Sequence, residues 1–363
     1  MDLKYYIIRR LLILIPTVLG LLLFTFILLR AVPVSDLIAN YVYQNASPAQ
    51  KAIEKKQAIA LLGIGLPLPE QFYIYVVDII HGNLGNMYSS FYSGPVMVGI
   101  ETYLPFTLEL TIITVVVSVL IAIPLGTFIG SRPNTVADSS GRVFSLIFYA
   151  MPIFWLALVL QLFFGKNIGP LGAYGLPVIG QGYPSTQQVG FIVNGVSQPT
   201  HMLLLDSILH GDFPLAFSAL EHLVLPVLTL SLSILAGLLR FIRAGMVDTS
   251  NQEYIKTARA KGVPEKMVLK KHIRKNALLP SVTVIGLLVA GLLGGVVVVE
   301  DIFKVEGLGR LSLAAVTGTS GNGSANIQFY GVAGTILFFG LILMLTNLIV
   351  DVVYAFLDPR IRY

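Results

Sequence analysis

The sequence predicts an all-α membrane protein with six transmembrane helices, and three observations support this fold class. Of the 363 residues, 55% are hydrophobic and 12% are charged, which is about half the charge content of a soluble domain. The mean hydropathy is +0.80. Six apolar stretches are each long enough to cross ~30 Å of hydrocarbon, which takes roughly 20 helical residues. A water-soluble globule of this size cannot bury so many apolar side chains, so lipid must cover much of the surface.

The predicted spans contain no Asp, Glu, Lys or Arg in their central parts. Such a charge at the centre of a span costs ~2.5–3.5 kcal/mol on insertion scales, so this absence fits contact with lipid. The first span is longer than the ~7–15-residue apolar core of a signal peptide, and we therefore expect it to remain uncleaved. The six spans cover 11–30, 106–130, 143–165, 223–242, 277–299 and 329–352.

Small residues four apart mark one face of the fifth span. They form the pairs Ala290/Gly294 and Gly291/Gly295. Small residues at this spacing let a second helix approach closely. The approaching helix belongs either to the same subunit or to a second subunit, and the sequence leaves both possibilities open.

The basic residues predict the orientation of the chain. With the N-terminus in the cytoplasm, most of the 24 Lys and Arg residues fall in cytoplasmic segments, so both termini are expected inside. The same clustering explains the net charge of +5 without a nucleic-acid partner. The predicted organisation is a tail with the first helix (1–30), a long extracytoplasmic segment (31–105), a transmembrane core (106–355) and a cytoplasmic tail (356–363). Within the core lie outer loops at 166–220 and 301–328 and a cytoplasmic segment at 251–276.

The outer segments differ in character. Ser47 followed by Pro48 predicts a capped helix over the next residues, with proline in its first turn. The stretch 70–82 predicts an amphipathic helix along the membrane surface. The loop 166–220 is rich in Gly, Pro and Gln, and Gly318–Ser324 predicts that the loop 301–328 is flexible.

The cytoplasmic stretch 251–283 predicts two helices joined at a glycine. A helix-forming run covers Glu253–Lys261, and Gly262 can end it in a left-handed conformation. Pro264 then suits the first turn of a second helix. This arrangement predicts a short helix–turn–helix on the cytoplasmic side.

The apolar residues of this stretch favour one face of each helix. Tyr254, Ile255 and Ala258 are predicted to share a face of the first helix, and Met267 and Val268 to share a face of the second. Two interpretations remain open from the residues alone. The stretch is either a lever between the membrane helices and a soluble partner, or a basic helix held on anionic lipid headgroups.

No pattern for catalysis or metal binding occurs in the sequence. It has no GxxxxGK[ST] phosphate loop, no HExxH motif and no cysteine, and its five His residues are scattered. We therefore expect no enzyme activity and no catalytic, cofactor-binding or metal-binding residues on this chain. An ion-coupled carrier usually needs ionisable groups deep in its spans, and an intramembrane protease needs a Ser/His, paired Asp or metal-ligand set there; neither pattern is found. Of the ionisable residues near span ends, Glu109 and Glu221 are candidates for a substrate pathway, since both are expected near the outer mouth.

Several stretches resemble one family of transport proteins. EYIKTARAKG (253–262) and HIRKNALLP (272–280) are similar to the cytoplasmic loop of permease subunits of ATP-binding-cassette importers, in the dipeptide and oligopeptide branch. Two departures are the Glu306 that stands where these permeases usually have proline, and the loop 166–220, which matches no pattern of the family. Stretches that agree with the branch, in family order, occur at 5–26, 81–85, 107–110, 151–155, 279–287, 306–310 and 347–362.

The resemblance implies a multi-pass subunit of the cell (inner) membrane. A second homologous permease, as a heterodimer, would complete the pathway, and an extracytoplasmic solute-binding protein would deliver cargo. Two cytoplasmic ATPase subunits, which hold ATP and Mg, would receive the coupling segment (251–276). The implied cargo is peptides, with oligosaccharides or a nickel complex as alternatives. The residues expected to couple to the ATPase are Glu253, Tyr254, Ala258, Gly262 and Met267.

Overall fold

The structure is a computed structural model, and it describes residues 3–38, 47–180, 191–193, 196–198, 200–318 and 327–357. The end of the predicted cytoplasmic tail and most of the predicted glycine-rich loop lie outside these residues. The helices are α1 (Leu3–Arg30), α2 (Val34–Ile38), α3 (Pro48–Leu61), α4 (Leu68–Ile80), α5 (Val96–Gly130), α6 (Val136–Ala150), α7 (Ile153–Phe164), α8 (Leu203–His210), α9 (Phe213–Ser250), α10 (Glu253–Ala260), α11 (Glu265–Met267), α12 (Arg274–Ile302), α13 (Leu308–Thr317) and α14 (Phe329–Leu357). A π-helical turn, Val268–Ile273, joins α11 to α12. Two antiparallel hairpins pair β1 (Asn86–Tyr88) with β2 (Ser93–Pro95) and β3 (Phe191–Val193) with β4 (Val196–Gln198).

Five described helices are long and apolar enough to cross a membrane, and a bent pair of helices adds a sixth candidate. The five are Ile7–Arg30, Val96–Gly130, Phe213–Ser250, Glu265–Ile302 and Phe329–Val353. They contain five of the six predicted spans.

The third predicted span, 143–165, is not one helix. The axes of α6 and α7 meet at 106° around Met151 and Pro152. Met151 has an extended backbone with ψ of 128°. Proline lacks an N–H to continue the helix, and its ring disfavours the helical conformation in the residue before it. The prediction of a continuous helix there was wrong because it weighed hydropathy above the position of Pro152.

The described residues form two compact units. Unit 1 comprises Met1–Arg10, Phe106–Val305 and Leu343–Tyr363, and unit 2 comprises Leu11–Pro105 and Glu306–Ile342. In unit 1, α9 packs against α6, α7, α8 and α12. Its core is apolar, with Leu230, Leu238 and Ile242 of α9 and Val296 of α12 almost entirely shielded.

Two glycines let α5 approach α9. A Cβ on Gly126 would lie 2.8 Å from Ile242 Cγ2, and a Cβ on Gly130 would lie 2.6 Å from Met246 Cβ. On α12, by contrast, a Cβ on Gly291 or on Gly294 would meet no described atom within 4 Å. Gly295 of the predicted pairs does allow a close approach within unit 1, since a Cβ there would lie 2.8 Å from Ile153 Cδ1 of α7.

A buried ion pair connects α6 to α9. The side chain of Asp138 is fully buried, and Arg243 donates to both of its oxygens, from Nε to Oδ1 at 2.8 Å and from Nη2 to Oδ2 at 3.0 Å. The backbone N–H of Asn134 also donates to Oδ2 at 3.0 Å. Two-point pairing with extra hydrogen bonds is the geometry in which attraction offsets the cost of removing charges from water.

Unit 2 combines the first outer segment with residues from much later in the chain. The predicted helix after Ser47 is confirmed as α3, and Ser47 Oγ accepts a hydrogen bond from the Gln50 N–H. The predicted helix at 70–82 is confirmed as α4. Residues of β1 and α5, such as Met87 and Ile100, share an apolar core with Leu308 and Leu311 of α13.

The prediction that the whole loop 301–328 is flexible was wrong for its first half. Helix α13 lies inside it, and Leu308, Leu311 and Ala315 are fully buried in unit 2. The three apolar residues recur at helical spacing, which indicates a helix. The prediction of flexibility relied instead on the glycine-rich residues farther along the loop.

We predict opposite effects for two Gly-to-Ala substitutions. Gly130→Ala should lower the free energy of unfolding by about 1–3 kcal/mol, because the new methyl group overlaps Met246 and the adjacent α9 backbone. Gly20→Ala is the matched control, since a Cβ there meets nothing within 4 Å, and it should stabilise by up to ~1 kcal/mol through helix propensity. Thermal unfolding of the purified chain in detergent measures both, and equal shifts in the two variants would contradict the close approach.

Candidate functional site

The predicted coupling segment, 251–276, begins directly after α9 ends at Ser250, and it contains α10. The helix ends in a two-bond glycine cap. The Gly262 N–H donates to the Arg259 carbonyl at 2.9 Å, and the Val263 N–H donates to the Ala258 carbonyl at 3.2 Å. Gly262 has a φ of +75°, which confirms the predicted left-handed conformation.

Pro264 lies one residue outside the second helix. The prediction put it in the first turn, but α11 begins at Glu265, and Pro264 has an extended backbone with ψ of 136°. Its carbonyl accepts hydrogen bonds from the Met267 and Val268 N–H groups at 2.8 and 3.0 Å. Proline therefore still starts the helix, by providing the first carbonyl acceptor.

An apolar inner face attaches the coupling segment to unit 1. The side chains of Ile255 and Val268 are 0% exposed, and Ala258 and Val263 pack against the same core. Tyr254 is 45% exposed, so the predicted face shared by Tyr254 and Ile255 is not observed. Consecutive residues point in different directions on a helix, whereas residues three apart, such as Ile255 and Ala258, lie on one side.

The same correction applies in the second helix. Met267 is 43% exposed while its neighbour Val268 is buried. Both helices therefore present one large apolar side chain outward, Tyr254 from α10 and Met267 from α11. These outward residues are available to a partner, while their neighbours hold the segment in place.

Polar contacts connect α10 to the helix that follows. Arg259 donates to Glu265 from Nη2 at 2.7 Å and from Nε at 3.1 Å, and this hydrogen-bonded carboxylate raises the pKa of Arg259. Asn276 Nδ2 donates to the Tyr254 hydroxyl at 3.2 Å. These groups are exposed, so each contact stabilises by about 1 kcal/mol or less. The apolar face therefore carries most of the attachment.

The segment is attached to two membrane helices at a place where they are themselves in close contact. A Cβ on Gly245 of α9 would lie 2.8 Å from the carbonyl oxygen of Ala277 of α12. A π-helical turn, Val268–Ile273, lies between the segment's second helix and α12. Such turns occur often at functional sites, where they interrupt the regular hydrogen bonding of a helix. The segment therefore adjoins the C-terminal end of α9 and the N-terminal end of α12.

The outward face of the segment combines apolar and charged groups. Gly262 lies in the open, since a Cβ there would meet no atom within 4 Å. Glu253 pairs with Lys256 at 2.7 Å, and both side chains are largely exposed. The exposed residues of this face are Glu253, Tyr254, Lys256, Ala260, Lys261, Gly262, Lys266 and Met267. Of the predicted coupling residues, only Ala258 is turned towards unit 1.

Glu109 and Glu221 stand in different environments. Glu109 of α5 is 5% exposed, and its carboxylate accepts hydrogen bonds from the Leu205 N–H at 2.9 Å and the Leu204 N–H at 3.5 Å. It therefore caps the N-terminus of α8. Glu221 of α9 is half-buried and has no ion pair within the described part of the chain. The pathway role of both stays a prediction, and the Glu109 carboxylate already has a structural use.

Three polar pairs that the structure shows were not identified from the sequence. They are Asp138–Arg243, Arg259–Glu265 and the buried Thr107–Glu300 contact, in which Thr107 Oγ1 donates to Glu300 Oε1 at 2.6 Å. Only Arg259–Glu265 has a local signal, because opposite charges flank a predicted turn at Gly262. Among the described residues, no group of three His, Cys, Asp or Glu side chains is placed to hold a metal ion.

Comparison with known proteins gives consistent similarities. Residues 122–363 match the family described as binding-protein-dependent transport system inner membrane component. The chain is 32% identical over 359 residues to the dipeptide transport system permease protein of Alkalihalophilus pseudofirmus, with 99% of both chains covered. It is 32% identical over 360 residues to the oligopeptide transport system permease protein of Bacillus subtilis, again with 99% of both covered. It is 30% identical over 361 residues to the dipeptide transport system permease protein of Escherichia coli, covering 99% of this chain and 98% of the relative.

We predict that the attachment of α10 depends on Ile255. Ile255→Ala should cost about 2–4 kcal/mol locally, because it leaves a cavity under α10. Amide hydrogen exchange of 253–263 should then accelerate strongly in the purified chain. Lys256→Ala, at an exposed position of the same helix, should change it little. Equal exchange in the two variants would contradict the apolar attachment.

Proposed function

Because this chain belongs to the family of inner membrane components of binding-protein-dependent transport systems, we propose that it is the permease subunit of an ATP-driven peptide importer. The observation that carries the proposal is the coupling segment, whose inner face is fixed to α9 and α12 and whose outer face is free for a partner. The names of the relatives, which are dipeptide and oligopeptide permeases, favour peptides over oligosaccharides or a nickel complex.

We infer the partners from the phosphate-binding loop that the sequence lacks and from the exposed outer face of the coupling segment. Its sequence has no phosphate-binding loop, so ATP and Mg bind on two cytoplasmic ATPase subunits. Those subunits receive the outward face of the segment, with Tyr254 and Met267 as its apolar contacts. A second, homologous permease forms the other half of the pathway, and an external binding protein delivers the peptide.

Mechanical coupling is the task of the segment's own residues. When the ATPases move, they displace α10, which is separated from the end of α9 by two residues. Ile255 and Val268 transmit this displacement to the core of unit 1, where α9 and α12 are in contact near Gly245 and Ala277. The inner ends of the two helices then shift together, which opens or closes the pathway.

The bent pair α6–α7 serves as one span, and both termini lie in the cytoplasm. This topology gives six crossings and places the basic coupling segment inside, as the positive-inside rule favours. It also places α3 and α4 outside, where the binding protein docks.

Single cysteines test this topology, because the chain contains none of its own. Lys261→Cys and Lys55→Cys are matched, since both replace exposed lysines. A membrane-impermeant maleimide should label Lys55→Cys in intact cells and Lys261→Cys only in inverted vesicles. Labelling of Lys261→Cys from outside would exclude contact with a cytoplasmic ATPase.

Substitutions at Gly262 test coupling. Gly262→Pro conflicts with the φ of +75° and removes the N–H that caps α10, at a cost of ~3 kcal/mol. We expect normal insertion but at least a tenfold loss of peptide uptake in proteoliposomes that contain the permeases, the ATPases and the binding protein. Gly262→Asn is the control, since asparagine tolerates the left-handed conformation, and it should keep most of the uptake. Undiminished uptake by Gly262→Pro would refute the coupling role.

A further inference from the structure

A cavity of about 320 Å³ lies in unit 1 between the end of α5, α6 and the last turns of α9. Its size is within the range of pockets that hold small organic ligands. Nothing in the coupling mechanism uses it. Its cationic side chains are Arg142 of α6 and Arg240 and Arg243 of α9.

Two of these three arginines lie beside the same carboxylate. Asp138 accepts both hydrogen bonds from Arg243, and Arg142 Nε is 3.7 Å from Asp138 Oδ2. Arg240 has no carboxylate within ion-pair distance in the described ranges of the chain. Arg243 is matched by Asp138 and also interacts electrostatically with Asp248, whereas Arg142 reaches Asp138 only at 3.7 Å. Arg142 and Arg240 are therefore the less compensated cations of the cavity.

Arg240 is held in position without being neutralised. Its guanidinium lies over the Tyr149 ring, 4.5 Å from the ring centroid. Such a contact fixes the side chain while leaving N–H donors free for an anion. Arg142 is 54% exposed, and its Nη2 donates to Ser139 Oγ at 3.3 Å, which leaves further N–H groups of the guanidinium for a ligand. The pair therefore offers two positioned guanidinium groups, which suit phosphate oxygens.

The rest of the cavity wall is apolar. Ile129 and Leu239 are buried beside it, and Leu146 is 72% exposed at its opening. A free anion needs no such surface, whereas an amphipathic ligand uses both parts. The cavity therefore fits a molecule with an anionic head and an apolar tail.

The depth of the cavity agrees with a lipid. Arg240 lies in the last turn of the predicted span 223–242, and Arg142 of α6 lines the same cavity. Both arginines are thus placed at headgroup level on the cytoplasmic side, a step that rests on the proposed orientation. Basic pockets between membrane helices on that side bind the headgroups of anionic lipids.

We propose that this cavity is a binding site for an anionic phospholipid of the inner leaflet. Arg142 and Arg240 bind the phosphate of its headgroup, and Leu146 with the neighbouring apolar wall contacts the first part of its acyl chains. The lipid phosphate compensates the charges of Arg142, in the middle of α6, and Arg240, in the C-terminal part of α9.

The test measures binding of phosphatidylglycerol to the purified full-length chain after delipidation, by native mass spectrometry. The double variant Arg142→Gln/Arg240→Gln should bind at least tenfold more weakly than the wild type, since each cation near anionic headgroups contributes about 1 kcal/mol. Arg142→Lys/Arg240→Lys, which keeps both charges, should bind more tightly than the Gln pair. Lys270→Gln/Lys271→Gln is the control, because these exposed cations of the coupling segment lie outside the cavity, and it should bind as the wild type does.

Other outcomes would overturn the proposal. Equal loss in the Lys270/Lys271 control would show a general effect of basic charge. Displacement of the lipid by millimolar inorganic phosphate would identify a free-anion site, and displacement by a dipeptide would make the cavity part of the transport pathway. If the double variant does not fold, Arg240→Gln alone is informative, because its loss leaves no carboxylate unpaired, and undiminished binding then refutes the site. Binding is measured without transport, so failure of the importer assignment does not affect the result.

Discussion

The burial of α9 is the constraint on which the rest of unit 1 depends. In its most apolar stretch 72% of α9 is buried, against 38% or less for each of the other single candidate spans. A helix buried on most sides needs small residues on the helices that cross it closely, and Gly126 and Gly130 of α5 meet that need. Because only two residues separate α10 from α9, the position of the coupling segment is set by the most buried helix of the unit.

Local signals predicted the elements well and their contacts poorly. Hydropathy located the spans, Ser47 located the start of α3, and Gly262 located the turn after α10, because each feature acts within a few residues. The pairing of Asp138 with Arg243 joins residues far apart in sequence, and hydropathy carries no information about it. The same holds for α13, whose buried face is recognisable only once β1 and α5 are seen to pack against it. Glu109 was chosen as a pathway candidate for its expected place near the outer mouth, and its contact with the start of α8 could not be predicted because that helix is far away in sequence.

Arg240 and Arg243, in the C-terminal part of α9, have different environments. Arg243 is matched by Asp138, and its energetic value lies in fixing α6 against α9. Arg240, three residues earlier, is placed by Tyr149 and keeps its charge. The ring contact stabilises this placement and leaves N–H donors of the guanidinium free. The two environments therefore suit different uses, a structural pairing at Arg243 and the lipid contact that we propose at Arg240.

The coupling segment has strong apolar contacts on its inner face and weak polar contacts on its outer face. Burial of Ile255 and Val268 stabilises by roughly 1.5–3 kcal/mol per side chain, whereas each exposed polar contact, such as Arg259–Glu265, contributes about 1 kcal/mol or less. A partner that docks on the outer face competes with the polar contacts and leaves the apolar face intact. In the proposed importer, docking would therefore rearrange the outer face without detaching α10, and the displacement of α10 would reach α9 and α12. The π-helical turn Val268–Ile273 lies between the coupling segment and α12, and turns of this kind occur often at functional sites.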